Sequence, residues 1–182
     1  MQYDPVKRQL GNVFNRSPLL RKLFYGLLDL LLLRAWHIHK EVGVWRRSVG
    51  NAVHIYAVGV GYGQYSYWLS GFAKQWQVTA IDVKEEQVAD CNAFFQAIGR
   101  PQVKFEVGDV TKFTKPGAFD LVVCVDVMEH ILEDEAALRC YSTSLKPGGM
   151  LIISTPSDQG GSDVHDESEG SFIEEHVRDG YN

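Results

Sequence analysis

From Asn51 onward, short apolar runs alternate with helix-like segments, and this alternation restricts the possible folds more than anything else in the chain. Ala52 to Val58 is an apolar run that ends in glycines, which suits a strand. Gln64 to Lys74 reads as a helix, and Val78 to Ile81 as a second strand. Glu85 to Ile98 is the next helix, with Val88, Cys91, Phe95 and Ile98 on one face; Gly99-Arg100-Pro101 ends it. Val103 to Val107 is the third strand. Asp120 to Val125 is the fourth, and its unbroken apolar run suits burial on both faces. Asp134 to Leu145 is a helix that aligns Leu138, Tyr141 and Leu145. Lys146-Pro147-Gly148-Gly149 makes a turn before a fifth strand, Met150 to Ser154. Strands separated by helices pair in parallel, so the expected class is α/β: a Rossmann-like, doubly wound sheet with helices on both faces.

The N-terminal part has a different character. Leu19 to Trp36 is leucine-rich, has no β-branched residue, and follows Ser17-Pro18, a good helix start. Leu20, Phe24, Leu27, Leu31 and Ala35 would share one face, although other leucines widen the apolar surface. Asp29 interrupts the stretch, which is too short to span a bilayer. Two readings stand. The helix packs over the domain as a lid, or it lies at a membrane surface with Arg21, Lys22, Arg34 and Lys40 near lipid head groups. The chain therefore divides into a helical cap, residues 1–48, and an α/β domain, residues 49–182.

Charge and cysteine content exclude other classes. Eighteen basic against 23 acidic residues give a net charge of −5, with no long basic run, so nucleic acid is not an expected partner. Cys91, Cys124 and Cys140 are widely spaced and form no CxxC, which argues against a disulfide framework and against zinc. Met1 to Lys7 lacks signal-peptide character, and a cytoplasmic location, with membrane association through residues 19–36 as the alternative, is expected. Residues 157–171 read as a mobile loop.

The chemistry points to Gly59-Val60-Gly61-Tyr62-Gly63, between the first strand and the following helix. Glycines there permit a tight turn and let a ligand approach the backbone, while the helix start offers free N–H groups. By itself such a loop can equally be an ordinary turn. Asp82 ends the second strand, where a carboxylate can accept from both hydroxyls of a ribose or cap the next helix. Asp109 follows the third strand, where it can accept from an adenine amino group or simply close a turn.

Taken together, these residues resemble the class I S-adenosylmethionine (SAM) dependent methyltransferases. The resemblance covers Asn51 to Asn182: the glycine loop, Asp82, Gly108-Asp109, Phe119-Asp120-Leu121-Val122, and Lys146-Pro147-Gly148-Gly149. It implies that Gly59, Gly61, Tyr62 and Gly63 lie against the methionyl part of SAM. It implies further that Asp82 with Val83 holds the ribose and Asp109 with Val110 the adenine. Two departures stand out. Family members usually carry an acid two residues before the first glycine, where this chain has Ala57. The family fold also continues with a further helix and a β-hairpin, which the chain ending at Asn182 is expected to lack, leaving a sheet edge for a partner or a second copy.

Asp126-Val127-Met128-Glu129-His130 follows the fourth strand, at the end of the sheet where such folds bind ligands. A subset of the family, similar to quinone O-methyltransferases, places acid-x-x-Glu-His here. That resemblance makes Asp126, Glu129 and His130 candidates for catalysis and for a magnesium or manganese site, which His165 or His176 could complete; Asp126 could instead face the methionyl group. The expected activity is methyl transfer from SAM to a small or lipophilic acceptor. The alternatives are a SAM-binding module without catalysis and an NAD-dependent oxidoreductase, the latter disfavoured because the third glycine comes one residue too early for GxGxxG.

Overall fold

The computed structural model describes residues 17–157. His165, His176, most of the loop expected over 157–171, and the stretch up to Asn182 lie outside the described residues. Two helices come first: α1, Pro18–Leu31, and α2, Leu33–Trp45, followed by a 3-10 turn at Arg46–Ser48. The α/β units are β1 (His54–Val58), α3 (Gln64–Leu69), β2 (Gln77–Asp82), α4 (Glu85–Ala97), β3 (Val103–Val107), β4 (Phe119–Val125), α5 (Asp134–Ser144) and β5 (Leu145–Ser154).

The strands pair in the order β3-β2-β1-β4-β5, and every pairing is parallel. Strand order reverses between β1 and β4, which opens a crevice at their C-terminal ends, the usual ligand position in such sheets. β1 shows why both faces are covered. Ile55 and Ala57 point into one apolar cluster, with Tyr25, Ile38, Val42, Leu69 and Phe95 from the helices. Tyr56 and Val58 point into the other, with Ala137 and Tyr141 of α5. The Phe119-Asp120-Leu121-Val122 and Lys146-Pro147-Gly148-Gly149 segments meet across the sheet. Asp120 accepts the His54 backbone N–H and, at 2.8 Å, the Lys146 ammonium. The expected turn at 146–149 is a register irregularity inside β5, between the Phe119–Leu145 and Leu121–Met150 pairs.

Two expectations about the N-terminal region are corrected. The helix expected over residues 19–36 is broken at Leu32, whose backbone is extended (φ −92°, ψ 111°), and α2 then runs on to Trp45. The shared face of Leu20, Phe24, Leu27, Leu31 and Ala35 is not formed either, since the break puts Ala35 on α2. Leu20, Leu27 and Leu31 are exposed, Phe24 is partly buried, and Ala35 alone of the five is fully buried. The face of α1 that docks is centred on Arg21 and Tyr25. The reason is the surface it meets. The Arg21 guanidinium binds Asp90 at 2.5 Å, the Tyr25 hydroxyl, the Tyr62 carbonyl and the Cys91 thiol, and it stacks over Phe94. A surface that combines polar groups with the rings of Phe94 and Tyr67 selected the arginine-tyrosine side of the helix.

Candidate active site

The glycine loop takes its shape from three left-handed residues. Gly59, Gly61 and Gly63 have φ of 71°, 48° and 80°. They differ in why they are glycine. A Cβ on Gly59 would collide with Val127, and one on Gly63 would meet Phe95 at 3.0 Å. Nothing lies within 4 Å of the corresponding point on Gly61. Packing therefore demands the outer two, and an open space faces the middle one, which is where a ligand can approach backbone. The Tyr62 carbonyl is held from behind by the Tyr25 hydroxyl and by Arg21. The N-terminal helix thus braces the loop.

Asp82 sits at the end of β2. One carboxylate oxygen accepts the Val60 N–H at 2.8 Å, and the other accepts the Lys84 N–H at 2.9 Å. A carboxylate offers about four acceptor positions, so capacity remains for a diol. Val83 beside it is exposed. Asp109 has less to spare. One of its oxygens accepts both the N–H and the hydroxyl of Thr111, and Lys112 binds the other at 2.9 Å. These bonds hold its carboxyl down to about 2. Val110 is buried in the cluster beneath.

Asp126 is the sole non-glycine residue with positive φ, 52°, among the described residues. Its N–H is tied to the Ser154 carbonyl, and Arg34 of α2 binds its carboxylate at 2.8 Å. Strained backbone of this sort collects at functional sites. Of the four basic residues that the membrane-surface reading places near lipid head groups, Arg34 pairs with Asp126 just past the end of β4. Sequence reading could not join two residues so far apart in the chain, and the basic residue in a leucine-rich segment was the only available signal.

Glu129 and His130 belong to a 3-10 turn, Met128–His130. Glu129 is buried and accepts from the Thr155 hydroxyl at 3.1 Å. Among the described residues no three His, Cys, Asp or Glu side chains are gathered so as to hold a metal ion. Asp126 is engaged by Arg34 and Glu129 by Thr155, while His165 and His176 lie outside the described residues.

Beside the loop, Ala57 lines a small enclosed cavity of about 30 Å³ with Tyr65, Ser66, Val123 and Val125. This is the position where an acid was expected from the resemblance. A second, open cavity of about 440 Å³ lies between α1 and α2, lined by Gly26, Asp29, Leu30, Trp36 and His39. His39 stacks on Trp68 at 3.8 Å, and its buried Nε2 lies 3.6 Å from Asp29, too far for a hydrogen bond. Burial lowers the His39 pKa, against the opposing pull of Asp29.

A parallel sheet with an open glycine cradle at its switch point and an acid ending the next strand defines a nucleotide-cofactor-binding α/β domain. Residues 56–153 match the family described as Methyltransferase domain, and the chain belongs to that family, with the fold of class I SAM-dependent methyltransferases. It is 37% identical over 83 residues to a ubiquinone biosynthesis O-methyltransferase of Xanthomonas euvesicatoria pv. vesicatoria (strain 85-10). The match covers 43% of this chain and 34% of that relative, so the chain spans about a third of the length of the curated relatives it matches. Among solved structures, the [4+2]-cyclase SpnF superposes with a TM-score of 0.55 at 28% identity, over 58% of this chain and 40% of that one. Coclaurine N-methyltransferase, bound to N-methylheliamine and SAH, shares the fold at a TM-score of 0.56 and 18% identity, over 65% of this chain and 35% of that one. No helix among the described residues is long and apolar enough to cross a membrane.

Proposed function

We propose that the chain binds SAM in the crevice between β1 and β4 and transfers its methyl group to a lipophilic acceptor. The observation that carries this reading is the open space over Gly61, in a loop whose Val60 N–H is held by Asp82, in a chain of the methyltransferase family; the Arg34–Asp126 pair lies just past the end of the neighbouring β4. Residues of the right chemistry are present for each part of SAM. Gly61 leaves room for the methionyl group against backbone, Arg34 can bind its carboxylate, Asp126 its ammonium, and Asp82 the ribose hydroxyls. Asp109 would reach an adenine amino group only by sharing its carboxylate with Thr111 and Lys112.

When bound, SAM supplies an electrophilic sulfonium methyl. The protein's part is placement: fixing donor and acceptor in line, which converts a bimolecular step into an intramolecular one. Arg34 and Asp126 come from the cap and the sheet respectively, so they set the distance between lid and cofactor. A lipophilic acceptor is supported by the ubiquinone O-methyltransferase relatives and by the cavity bordered by Leu30 and Trp36. No step is assigned to magnesium or manganese, since the residues named for that site are not gathered. Family membership sets aside hydride transfer to NAD.

Incubation with methyl-labelled SAM and a panel of phenols and quinols of increasing chain length tests this reading. Label should move to the acceptor, with turnover rising with apolar chain length. A second reading, SAM binding without methyl transfer, is favoured by Ala57 and by the cyclase that shares the fold. SAM bound with no label transferred to any acceptor would select it.

A further inference from the structure

Apart from Leu30 and Trp36, which border the cavity, the outward face of the cap has no role in the site just described. Leu19, Leu20, Leu23, Leu27, Leu30 and Leu31 of α1 are all exposed, from 38% to 76%. At about 3.6 residues per turn they fall within roughly a third of the helix circumference. The arc lies opposite Arg21 and Tyr25, the residues that dock. Leu33, Trp36 and Val44 extend the exposed apolar surface onto α2. Patches of this extent on a folded protein mark interaction surfaces.

Charge indicates what covers it. Residues 17–50 hold six basic residues (Arg21, Lys22, Arg34, Lys40, Arg46 and Arg47) and two acidic ones (Asp29 and Glu41), on a chain whose net charge is −5. Lys22 and Lys40 are exposed beside the leucines. Apolar surface rimmed by cations suits the boundary between acyl chains and anionic head groups, where Trp36 also fits. A second copy docking on this face would bury the same lysines in an apolar interface, which costs free energy. The 440 Å³ cavity opens beside the same face, since Leu30 and Trp36 belong to both.

We propose that the outward face of α1 and α2 docks on an anionic lipid bilayer, leucines in the acyl boundary and Lys22 and Lys40 at the head groups. The cavity mouth then faces the bilayer. This proposal does not depend on methyl transfer, and its test needs no SAM.

The test is co-sedimentation of the full chain with vesicles of phosphatidylcholine alone or mixed with phosphatidylglycerol. Binding should be at least about tenfold stronger to the anionic vesicles and should weaken as salt shortens the Debye length below about 8 Å. The double substitution Leu23→Glu with Leu30→Glu should reduce binding about tenfold or more without changing the circular dichroism spectrum, since both side chains are exposed. Lys22→Glu with Lys40→Glu should remove the preference for anionic lipid. Failure of the parent chain to bind either vesicle overturns the proposal, as does full binding by the leucine variant. A dimer seen by light scattering that the leucine substitutions dissolve would also overturn it, by assigning the face to a second copy.

Discussion

The two regions of this protein bury opposite kinds of surface. In the α/β domain, Ile55, Leu121 and Val123 are inside. In α1, an arginine and a tyrosine are inside and six leucines are outside. The difference teaches that a helix docks by the complementarity of what it meets. The surface behind the glycine loop offers the Tyr62 carbonyl, Asp90 and Cys91, and Arg21 with Tyr25 satisfies them. Leucines there would have left those groups without partners.

The largest effect that would break this comparison is at Arg21. Its guanidinium is 2% exposed and multiply bonded. Arg21→Ala should lower unfolding stability in urea by about 2–4 kcal/mol, from the lost hydrogen bonds of a charged donor to Tyr25 and the Tyr62 carbonyl and the lost packing on Phe94; Asp90 is 38% exposed and is left hydrated. A loss below about 1 kcal/mol would mean that the polar face does not hold the helix.

The α/β domain was readable from sequence because its signals are local. Each strand carries its own apolar run, each helix its own period, and β3 spans the expected Val103 to Val107. Asp82 and the glycines followed from position within those units. The cap was not readable in the same way. No proline or glycine marks the break at Leu32, and the rule that leucines face inward fails where the receiving surface is polar. Arg34 escaped notice as a site residue because its partner, Asp126, lies on β4's far end in another part of the chain.

Next in size is an effect confined to the crevice. Asp82→Ala should weaken SAM binding by about 1.5–3 kcal/mol, the range for hydrogen bonds to a charged group, while leaving Arg21-dependent stability in place. Equal affinity in a folded variant would remove Asp82 from the site. At the start of α1, Ser17 accepts the Leu19 N–H at 3.3 Å. Ser17→Ala should cost about 1 kcal/mol if the docked helix is part of the cooperative fold; no change in urea midpoint would indicate a frayed end.

His39 sharpens the comparison through pH. Burial lowers its pKa in the folded state from the ordinary 6.5. The unfolded chain then binds more protons as pH falls through about 6.5, so the cap's stability is complete above that value and declines below it. His39→Phe, which keeps an aromatic ring against Trp68, should flatten that part of the stability curve. An identical pH profile for parent and variant would show that His39 does not titrate with folding. The smallest effect is outside: Leu23→Ala should change stability by no more than about 0.5 kcal/mol, as expected for an exposed position. A loss of about 2 kcal/mol or more would mean that the leucine face is covered.

The central claim is that the open space over Gly61 is a cofactor cradle, and calorimetric titration with S-adenosylhomocysteine tests it most directly. The parent chain should bind the ligand, and Gly61→Val should lose that binding while its circular dichroism spectrum is retained, because the new side chain fills a space that nothing in the protein occupies and a β-branched residue strains the left-handed loop backbone there. A folded parent that releases no heat with the ligand, or a Gly61→Val variant that binds it as tightly as the parent, would contradict the account.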